Sequence, residues 1–300
     1  MCYSTGVKQA ELYLSNNQLP ALPESIGRLG NLKVLDLGAN PLSTLPASLS
    51  GLSRLQHLGL GQAQLRELPA SLGDLVSLRQ LHLEGNALQT LPESLGKLVR
   101  LEILGLDHNA LQTLPASISG LNNLKALSLS GNGLTSLPET FGGLESLEKL
   151  NLGQNALASL PGSLGGLQKL RELNLSHNAL THLPESIGKL SALRHLSLPF
   201  NQLASLPGGL GKLSRLESLS LAENKLATLP ASIGGLKKLQ SLDLWNNPLS
   251  ALPDGIGDLE RLHTFRLPLD RLPGEELDKL RLNLLKTQVT PFSGRIPAGR

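Results

Sequence analysis

Leucine alternates with polar residues at fixed intervals along most of this chain. One unit, LPESLGKLVRLEILGLDHNALQT, runs from Leu91 to Thr113, and its centre spaces leucine as L-x-x-L-x-L before an asparagine. The L-x-L step has the period of a strand, with leucines facing inward and the residues between them facing outward. The pattern therefore predicts one short strand per unit, and successive strands side by side in a parallel sheet.

A Leu-Pro pair marks the period of the pattern. It begins at residues 22, 45, 68, 91, 114, 137, 160, 183, 206, 229 and 252, always 23 residues after the previous pair. Such a period is typical of solenoids, in which each unit packs only on its neighbours. Proline suits the first turn of a short helix, whereas the glycine that follows it disfavours a long one. We therefore expect brief helical or 3-10 turns opposite the strands.

The unit resembles the leucine-rich repeat, whose L-x-x-L-x-L-x-x-N core stands here as Leu101, Leu104, Leu106 and Asn109. The resemblance covers about residues 10–270. It implies an α/β solenoid, a horseshoe with a concave parallel sheet of about 12 strands, and an asparagine ladder that bonds the backbone of neighbouring turns. The 23-residue L-P type is similar to the Ras-group repeats of intracellular scaffold proteins. It is also similar to effectors that bacteria deliver by type III secretion.

The ends of the chain depart from the repeat. Residues 1–10 are interpreted as a polar lead-in and residues 11–270 as the solenoid, with ladder positions altered at Ala63 and Asp270. Residues 271–286 are predicted to form a C-terminal capping helix, because a proline and acidic residues precede a stripe of leucines. Residues 287–300 are rich in Pro and Gly and are interpreted as a tail or linker.

Composition and charge narrow the classes of function. The chain has a single cysteine, Cys2, which excludes a disulfide framework and favours a reducing compartment. No run of 18 apolar residues occurs, so no membrane span is predicted. The net charge of +3 lies in residues 271–300, because the first 270 residues carry 21 charges of each sign. The repeats therefore lack the basic surplus that nucleic-acid binding requires.

The sequence contains no catalytic signature. A Walker A loop, a Rossmann fingerprint and an H-E-x-x-H motif are all missing. His57, His82 and Glu84 lie on adjacent predicted strands and could in principle converge on a metal. Their spacing, however, is that of the repeat, which favours parallel, solvated side chains. We predict that this chain is not an enzyme and needs no cofactor or metal.

The outward positions of the strands are mostly small or polar, which predicts a shallow face with room for a partner. A polar patch near the N-terminus contains His57, His82, Glu84 and Asp107. We include these four residues among the candidate partner contacts. The alternative is ordinary variation of a solvated surface.

A second candidate patch, near the C-terminus, contains His195, Pro199, Phe200, Trp245 and Arg266. Trp and Arg are enriched where binding energy concentrates. The alternative for Trp245, the sole tryptophan, is packing over its neighbours to close the end of the solenoid. For Phe200 the alternative is a position beneath the turn. Pro199 has no N–H, so it is tolerated only near a strand end.

These features favour a non-enzymatic module that binds a protein partner, such as a signalling protein, on its concave face. One alternative is the recognition region of a longer enzyme or effector, for instance a ubiquitin ligase, whose catalytic part lies elsewhere. Another is a structural or designed repeat scaffold. We expect a cytoplasmic protein or, alternatively, a bacterial effector that enters a host cell. The sequence leaves the partner's identity and the oligomeric state open.

Overall fold

The computed structural model describes residues 10–267 and 272–275. The chain divides into two compact units, with the boundary in the sequence after Lys149. Every repeat contributes one three-residue strand. The strands are Glu11–Tyr13 (β1), Val34–Asp36 (β2), His57–Gly59 (β3), Gln80–His82 (β4), Ile103–Gly105 (β5), Ala126–Ser128 (β6), Lys149–Asn151 (β7), Glu172–Asn174 (β8), His195–Ser197 (β9), Ser218–Ser220 (β10), Ser241–Asp243 (β11) and Thr264–Arg266 (β12). The number of strands agrees with the prediction.

Within each unit the strands pair in parallel and in chain order. In the first unit β1 to β6 pair with a register of one repeat, so that Leu35 lies beside Leu58. In the second unit β8 to β12 pair in the same way. The predicted repeat solenoid, with its parallel strands on one side, is therefore confirmed in both units.

The opposite side of each unit is formed by five-residue 3-10 helices. They are Glu24–Arg28, Ala47–Gly51, Ala70–Asp74, Glu93–Lys97, Ala116–Gly120, Glu139–Gly143, Gly162–Gly166, Glu185–Lys189, Gly208–Lys212, Ala231–Gly235 and Asp254–Asp258. A proline precedes each helix, as at Pro92 with φ −69° and ψ 144°. That φ is close to the value the proline ring imposes, so each Leu-Pro pair sets the direction in which the helix begins.

Leucines from the strands and the helices form the core. The strand leucines Leu35, Leu58 and Leu81 are fully buried. Phe141 replaces the usual aliphatic residue of a 3-10 helix and is also fully buried. Phe265 stands at a strand leucine position with 1% of its surface exposed, as the repeat pattern predicts. Two of the four phenylalanines therefore serve the core.

The asparagine ladder satisfies the turns after the strands. Asn201 donates from Nδ2 to the carbonyls of Leu175 and Leu198 at 2.9 and 3.0 Å, and its Oδ1 accepts from the amide of Leu180 at 3.0 Å. Only 7% of Asn201 is exposed. Buried backbone groups need hydrogen-bond partners. The Asn201 side chain is the partner of three such groups, which belong to two repeats.

At Ala63, which interrupts the ladder, backbone groups replace the missing asparagine side chain in the hydrogen bonds. Asn86 Oδ1 accepts from the amides of both Ala63 and Leu65, at 3.0 and 2.9 Å. The Ala63 carbonyl accepts from the amide of Leu42 at 3.1 Å, where other repeats use the asparagine oxygen. The replacement at Asp270 lies outside the described residues, as do residues 1–9, most of the predicted capping helix and the predicted tail.

Candidate binding surface

The solvent side of the parallel strands, called the strand face below, carries the outward side chains of each repeat. Strand residues alternate between the two sides of a sheet. Each repeat has three outward positions, and the same position in successive repeats forms a column. In the first unit many of these positions are glycine, serine or alanine, including Gly38, Gly59, Gly61, Gly105 and Ser128. Short side chains leave the backbone near the surface, which agrees with the predicted shallow face.

A concavity interrupts the strand face of the first unit and is called the N-terminal depression below. Its volume is about 690 Å³, and its lining runs from Tyr13 in β1 to His108 in the turn after β5. Its lining includes Tyr13, Asp36, His57, His82 and Glu84. Four glycines also line it: Gly38, Gly59, Gly61 and Gly85. Of the four residues predicted in the N-terminal patch, His57, His82 and Glu84 line it and Asp107 does not. The lining residues include no lysine or arginine.

Glycines allow two carboxylates to lie over the floor of the depression. A Cβ on Gly59 would stand 2.7 Å from Asp36 Oδ1, and a Cβ on Gly61 would stand 3.7 Å from Glu84 Oε2. Asp36 belongs to β2 and Glu84 follows β4. A Cβ on Gly105 would collide with the Glu84 carboxylate. The glycines are therefore what lets these acids occupy this space.

His82 and Glu84 contact each other on one side of the depression. His82 Nδ1 and Glu84 Oε1 are 3.1 Å apart. The hydrogen bond to Glu84 raises the pKa of His82 above its usual value, against the effect of partial burial. Burial alone raises the pKa of Glu84, but hydrogen bonds from His82 and from its own backbone, with the His82 charge, hold it below its usual value. The two groups form a polar clasp.

The sequence reasoning missed Tyr13 as a candidate. Its side chain lines the depression, is 63% exposed, and donates from its hydroxyl to Glu11 Oε2 at 3.2 Å. This hydrogen bond, more than the nearby charges, raises the pKa of the phenol. The available signal was composition, because Tyr13 is one of only two tyrosines in the chain and occupies an outward column.

Asp107 does not line the depression but forms hydrogen bonds to the next repeat. Its Oδ1 accepts from the Ser130 amide at 2.6 Å, and both carboxylate oxygens lie 2.6 Å from the Ser128 hydroxyl. These bonds tie the turn of one repeat to that of the next. His57, His82 and Glu84 do not converge on a metal site: within the part of the chain that the structure describes, no group of three His, Cys, Asp or Glu is placed to hold an ion.

In the second unit, Phe200 lies on the surface. It is 48% exposed, and its ring stacks on His177 with centroids 4.3 Å apart and planes 11° apart. The alternative of a phenylalanine packed beneath the turn is therefore wrong. His195 is also exposed, and Pro199 is half-buried.

A left-handed backbone position explains why Phe200 points outward. The residue after the third outward column has positive φ in every repeat from Asn16 to Asn246. Phe200 has φ 56° and His177 has φ 53°. Non-glycine residues rarely adopt this conformation, and the turn of the repeat imposes it. The sequence analysis named Phe200 in this column but did not predict the left-handed conformation, although the Gly, Asn and His residues at the matching places were a signal.

Pro199 is tolerated because the carbonyl that would accept a sheet hydrogen bond from this position already accepts one from a side chain. The strand β9 ends at Ser197. If the register of the sheet continued, an N–H at position 199 would donate to the carbonyl of Leu175 in the preceding repeat. That carbonyl accepts from Asn201 Nδ2 at 2.9 Å. The Pro199 carbonyl still accepts from the His177 amide at 2.9 Å. The prediction of a position near the strand end is confirmed, and the ladder asparagine supplies the reason.

Trp245 and Arg266 are held by Asp243, which the sequence reasoning did not single out. Asp243 Oδ1 accepts from the Trp245 amide at 3.0 Å, and Oδ2 lies 3.1 Å from Arg266 Nη1. The side chains of Arg266 and Asp243 are only 20% and 18% exposed. Trp245 is half-buried, so neither predicted hot-spot residue projects freely into solvent. Of the two residues over which Trp245 could alternatively pack, Ala222 and Pro268, the second lies outside the described residues.

Two family models match the chain. A model described as "Leucine-rich repeat region" matches residues 69–159, and one described as "Leucine rich repeat" matches residues 10–65, 160–203 and 191–249. No curated protein matches the chain. Within the described residues, no helix has the length and apolar character needed to cross a bilayer.

Several solved structures are similar to this chain. A leucine-rich repeat protein of Leptospira interrogans is 29% identical, with a TM-score of 0.64, and covers 94% of this chain and 95% of its own. A TDR receptor is 29% identical with a TM-score of 0.76, covering 86% of this chain and 48% of its own. The Arabidopsis receptor kinase HAESA, solved with the peptide hormone IDA and the co-receptor SERK1, is 32% identical with a TM-score of 0.65, covering 86% and 49%. The chain spans about half the length of these two receptors.

Proposed function

Because the chain belongs to the leucine-rich repeat family, we propose that it is a non-catalytic module that binds a protein partner on the strand face. The observation that carries this proposal is the N-terminal depression of about 690 Å³, with its glycine floor and exposed Tyr13. Backbone close to the surface and an aromatic wall suit an inserted loop or extended segment of another protein. The strand face would be the concave side of the repeat array.

The structures of similar proteins support a binding role. HAESA was solved in complex with a peptide hormone and a co-receptor. By analogy, we propose that the partner here is a peptide or a protein segment. The analogy rests on a shared fold, so the residues of this chain must define the contact.

The absence of catalysis is part of the proposal. The groups that resemble a catalytic set have structural partners: Asp107 bonds Ser128 and Ser130, and Glu84 bonds His82. We also infer the Ras-group L-P repeat type from the 23-residue period. With its single cysteine, the chain suits a reducing compartment, so we propose a cytoplasmic protein, acting as a scaffold in its own cell or as an effector inside a host.

Site-specific photo-crosslinking tests the proposal. A photoreactive amino acid is placed at Gln80 or His195 on the strand face, and at Lys97 or Lys212 on the 3-10 helices as matched controls. Cells are irradiated and adducts are identified by mass spectrometry. We expect one protein to crosslink from a strand-face position and not from the helix positions. Adducts that form equally from both sides, or only from the helices, would falsify binding at the strand face.

A further inference from the structure

We propose that a second copy of this chain pairs with the outer edge of β1, so that the two β1 strands run antiparallel about a two-fold axis. This interaction surface goes beyond the proposed function. Three features meet at this end of the first unit: an open strand edge, core leucines that are incompletely covered, and a strand sequence that is complementary to itself.

The outer edge of β1 is open within the described residues. Among the described strands, β1 pairs only with β2. The Leu14 amide donates to the Asp36 carbonyl of β2 at 2.7 Å. Because the backbone groups of successive strand residues point to opposite edges, those of Glu11 and Tyr13 point away from β2. An edge of this kind is a template for another strand, and β1 has neither the proline nor the lysine that often prevents such pairing.

The leucine core is incompletely covered at the same end of the unit. Leu29 is 45% exposed, whereas its equivalents in the next two repeats, Leu52 and Leu75, are fully buried. Leu12 and Leu14 are half-buried, although the matching strand leucines of the later repeats are buried. Each repeat of a solenoid packs on its neighbours. The first described repeat therefore offers apolar surface that a further repeat would cover, and burial of that surface favours association.

The sequence of β1 fits a second β1. With the two-fold axis at Leu12, Glu11 of each copy lies opposite Tyr13 of the other, and the backbone groups of each pair exchange hydrogen bonds. Within one chain the Tyr13 hydroxyl donates to Glu11 Oε2 at 3.2 Å. Residues directly opposite each other on one side of a sheet are close enough for the same bond between copies. On the inner side the two Leu12 side chains meet, so one strand supplies both halves of an isologous contact.

Sedimentation-velocity ultracentrifugation of the full chain over a concentration series tests self-association. We expect the weight-average mass to rise from 31.9 kDa towards twice that value. A mass that stays at 31.9 kDa overturns the proposal. Slow hydrogen exchange at the Tyr13 amide in a monomeric protein would then show that the chain covers its own edge.

Two variants of one residue locate the contact. Tyr13→Pro removes an N–H of the outer edge and leaves the bonds from β1 to β2, so it should abolish the association. Tyr13→Phe keeps the backbone and the ring but lacks the hydroxyl, and it should weaken the association at least about threefold. Thermal unfolding shows that each variant is folded. Association that neither variant changes overturns the contact at β1.

Disulfide trapping tests the register. Residues of a non-hydrogen-bonded antiparallel pair have Cα atoms about 4.5 Å apart, which a disulfide can bridge. In a Cys2→Ser background, Leu12→Cys should form a disulfide-linked dimer in air at least about tenfold faster than Gly162→Cys. Gly162 is the control because it lies exposed on the 3-10 side, and an added Cβ there meets nothing within 4 Å. Equal rates of dimer formation overturn the pairing of β1 with β1.

Discussion

The ring of Phe200 stacks on the imidazole of His177, with centroids 4.3 Å apart and planes 11° apart. The two residues occupy the same place in successive repeats, and both have a left-handed backbone conformation. The repeat geometry therefore sets two rings one strand spacing apart, close to the distance at which aromatic faces stack.

Replacing Phe200 with Ala should remove this stack. An aromatic pair contributes about 0.5–1.5 kcal/mol beyond its burial, and half-exposure places Phe200 at the lower end of that range. The His177 ring protons should move downfield in the variant, because a stacked ring shields them in the native protein. ¹H NMR measures the change in chemical shift, and urea unfolding measures the loss in the free energy of unfolding. Gln154→Ala, in the same column, is the control, and a His177 spectrum that F200A leaves unchanged contradicts the stack.

Loss of a ladder asparagine should depend on its burial. Asn201→Ala removes four hydrogen bonds and leaves buried backbone groups without partners. We expect a loss of about 1–3 kcal/mol in the free energy of unfolding. Asn17→Ala is the matched control, because Asn17 is exposed and, among the residues the structure describes, bonds only carbonyls of its own repeat, at Leu14 and Ser15. Equal losses in urea denaturation would show that burial does not set the effect.

Close packing of neighbouring repeats requires glycine at Gly96, in the 3-10 helix Glu93–Lys97. A Cβ on Gly96 would collide with the Ser117 carbonyl and lie 2.8 Å from Ser117 Cβ. Gly96→Ala should therefore destabilise the protein by about 1–3 kcal/mol.

Gly162→Ala is its matched control with the opposite sign. A Cβ at Gly162 meets nothing within 4 Å, and alanine restricts the unfolded chain, which should stabilise the protein by about 0.4–1 kcal/mol. Thermal unfolding compares the two variants. The packing argument fails if both substitutions shift the melting temperature in the same direction.

The His82–Glu84 clasp should make stability depend on pH. The raised pKa of His82 stabilises the fold below the unfolded value of about 6.5, and this contribution is lost as pH rises through the folded pKa. The lowered pKa of Glu84 stabilises it above about 4.5, and this is lost as pH falls through the folded pKa. The clasp therefore contributes most between about pH 4.5 and 6.5. Because both groups are half-exposed, we expect less than about 1 kcal/mol.

Glu84→Gln tests this dependence. The variant should lose more stability near pH 5.5 than at pH 8.5, and the pKa of His82, followed by NMR, should fall towards its usual value. Glu102→Gln is the control. The Lys125 ammonium and the Arg79 guanidinium lower the pKa of Glu102 on the surface, and that group does not touch His82. A pKa of His82 that stays the same in Glu84→Gln contradicts the clasp.

The sequence by itself determined the repeat, the twelve strands and the inward leucines. These follow from two periods: the two-residue alternation of leucine within each strand and the 23-residue repeat. The alternation fixes which side is buried, because a leucine on the other side of the strand would be exposed to water. It also located His82 and Glu84 on one surface and placed Pro199 beyond a strand. Such inferences need only the register, which eleven equally spaced Leu-Pro pairs make unambiguous.

Only the tertiary structure decided how particular side chains are used. The sequence gives Asp107 and Glu84 the same outward column, yet one bonds the next turn and the other lies over glycines of its neighbours. It gives Phe200 a position but not its left-handed φ, which sends the ring outward onto His177. The physical reason is that these outcomes depend on space and hydrogen-bond partners in adjacent repeats, and a periodic pattern records which residues alternate but not what each one meets.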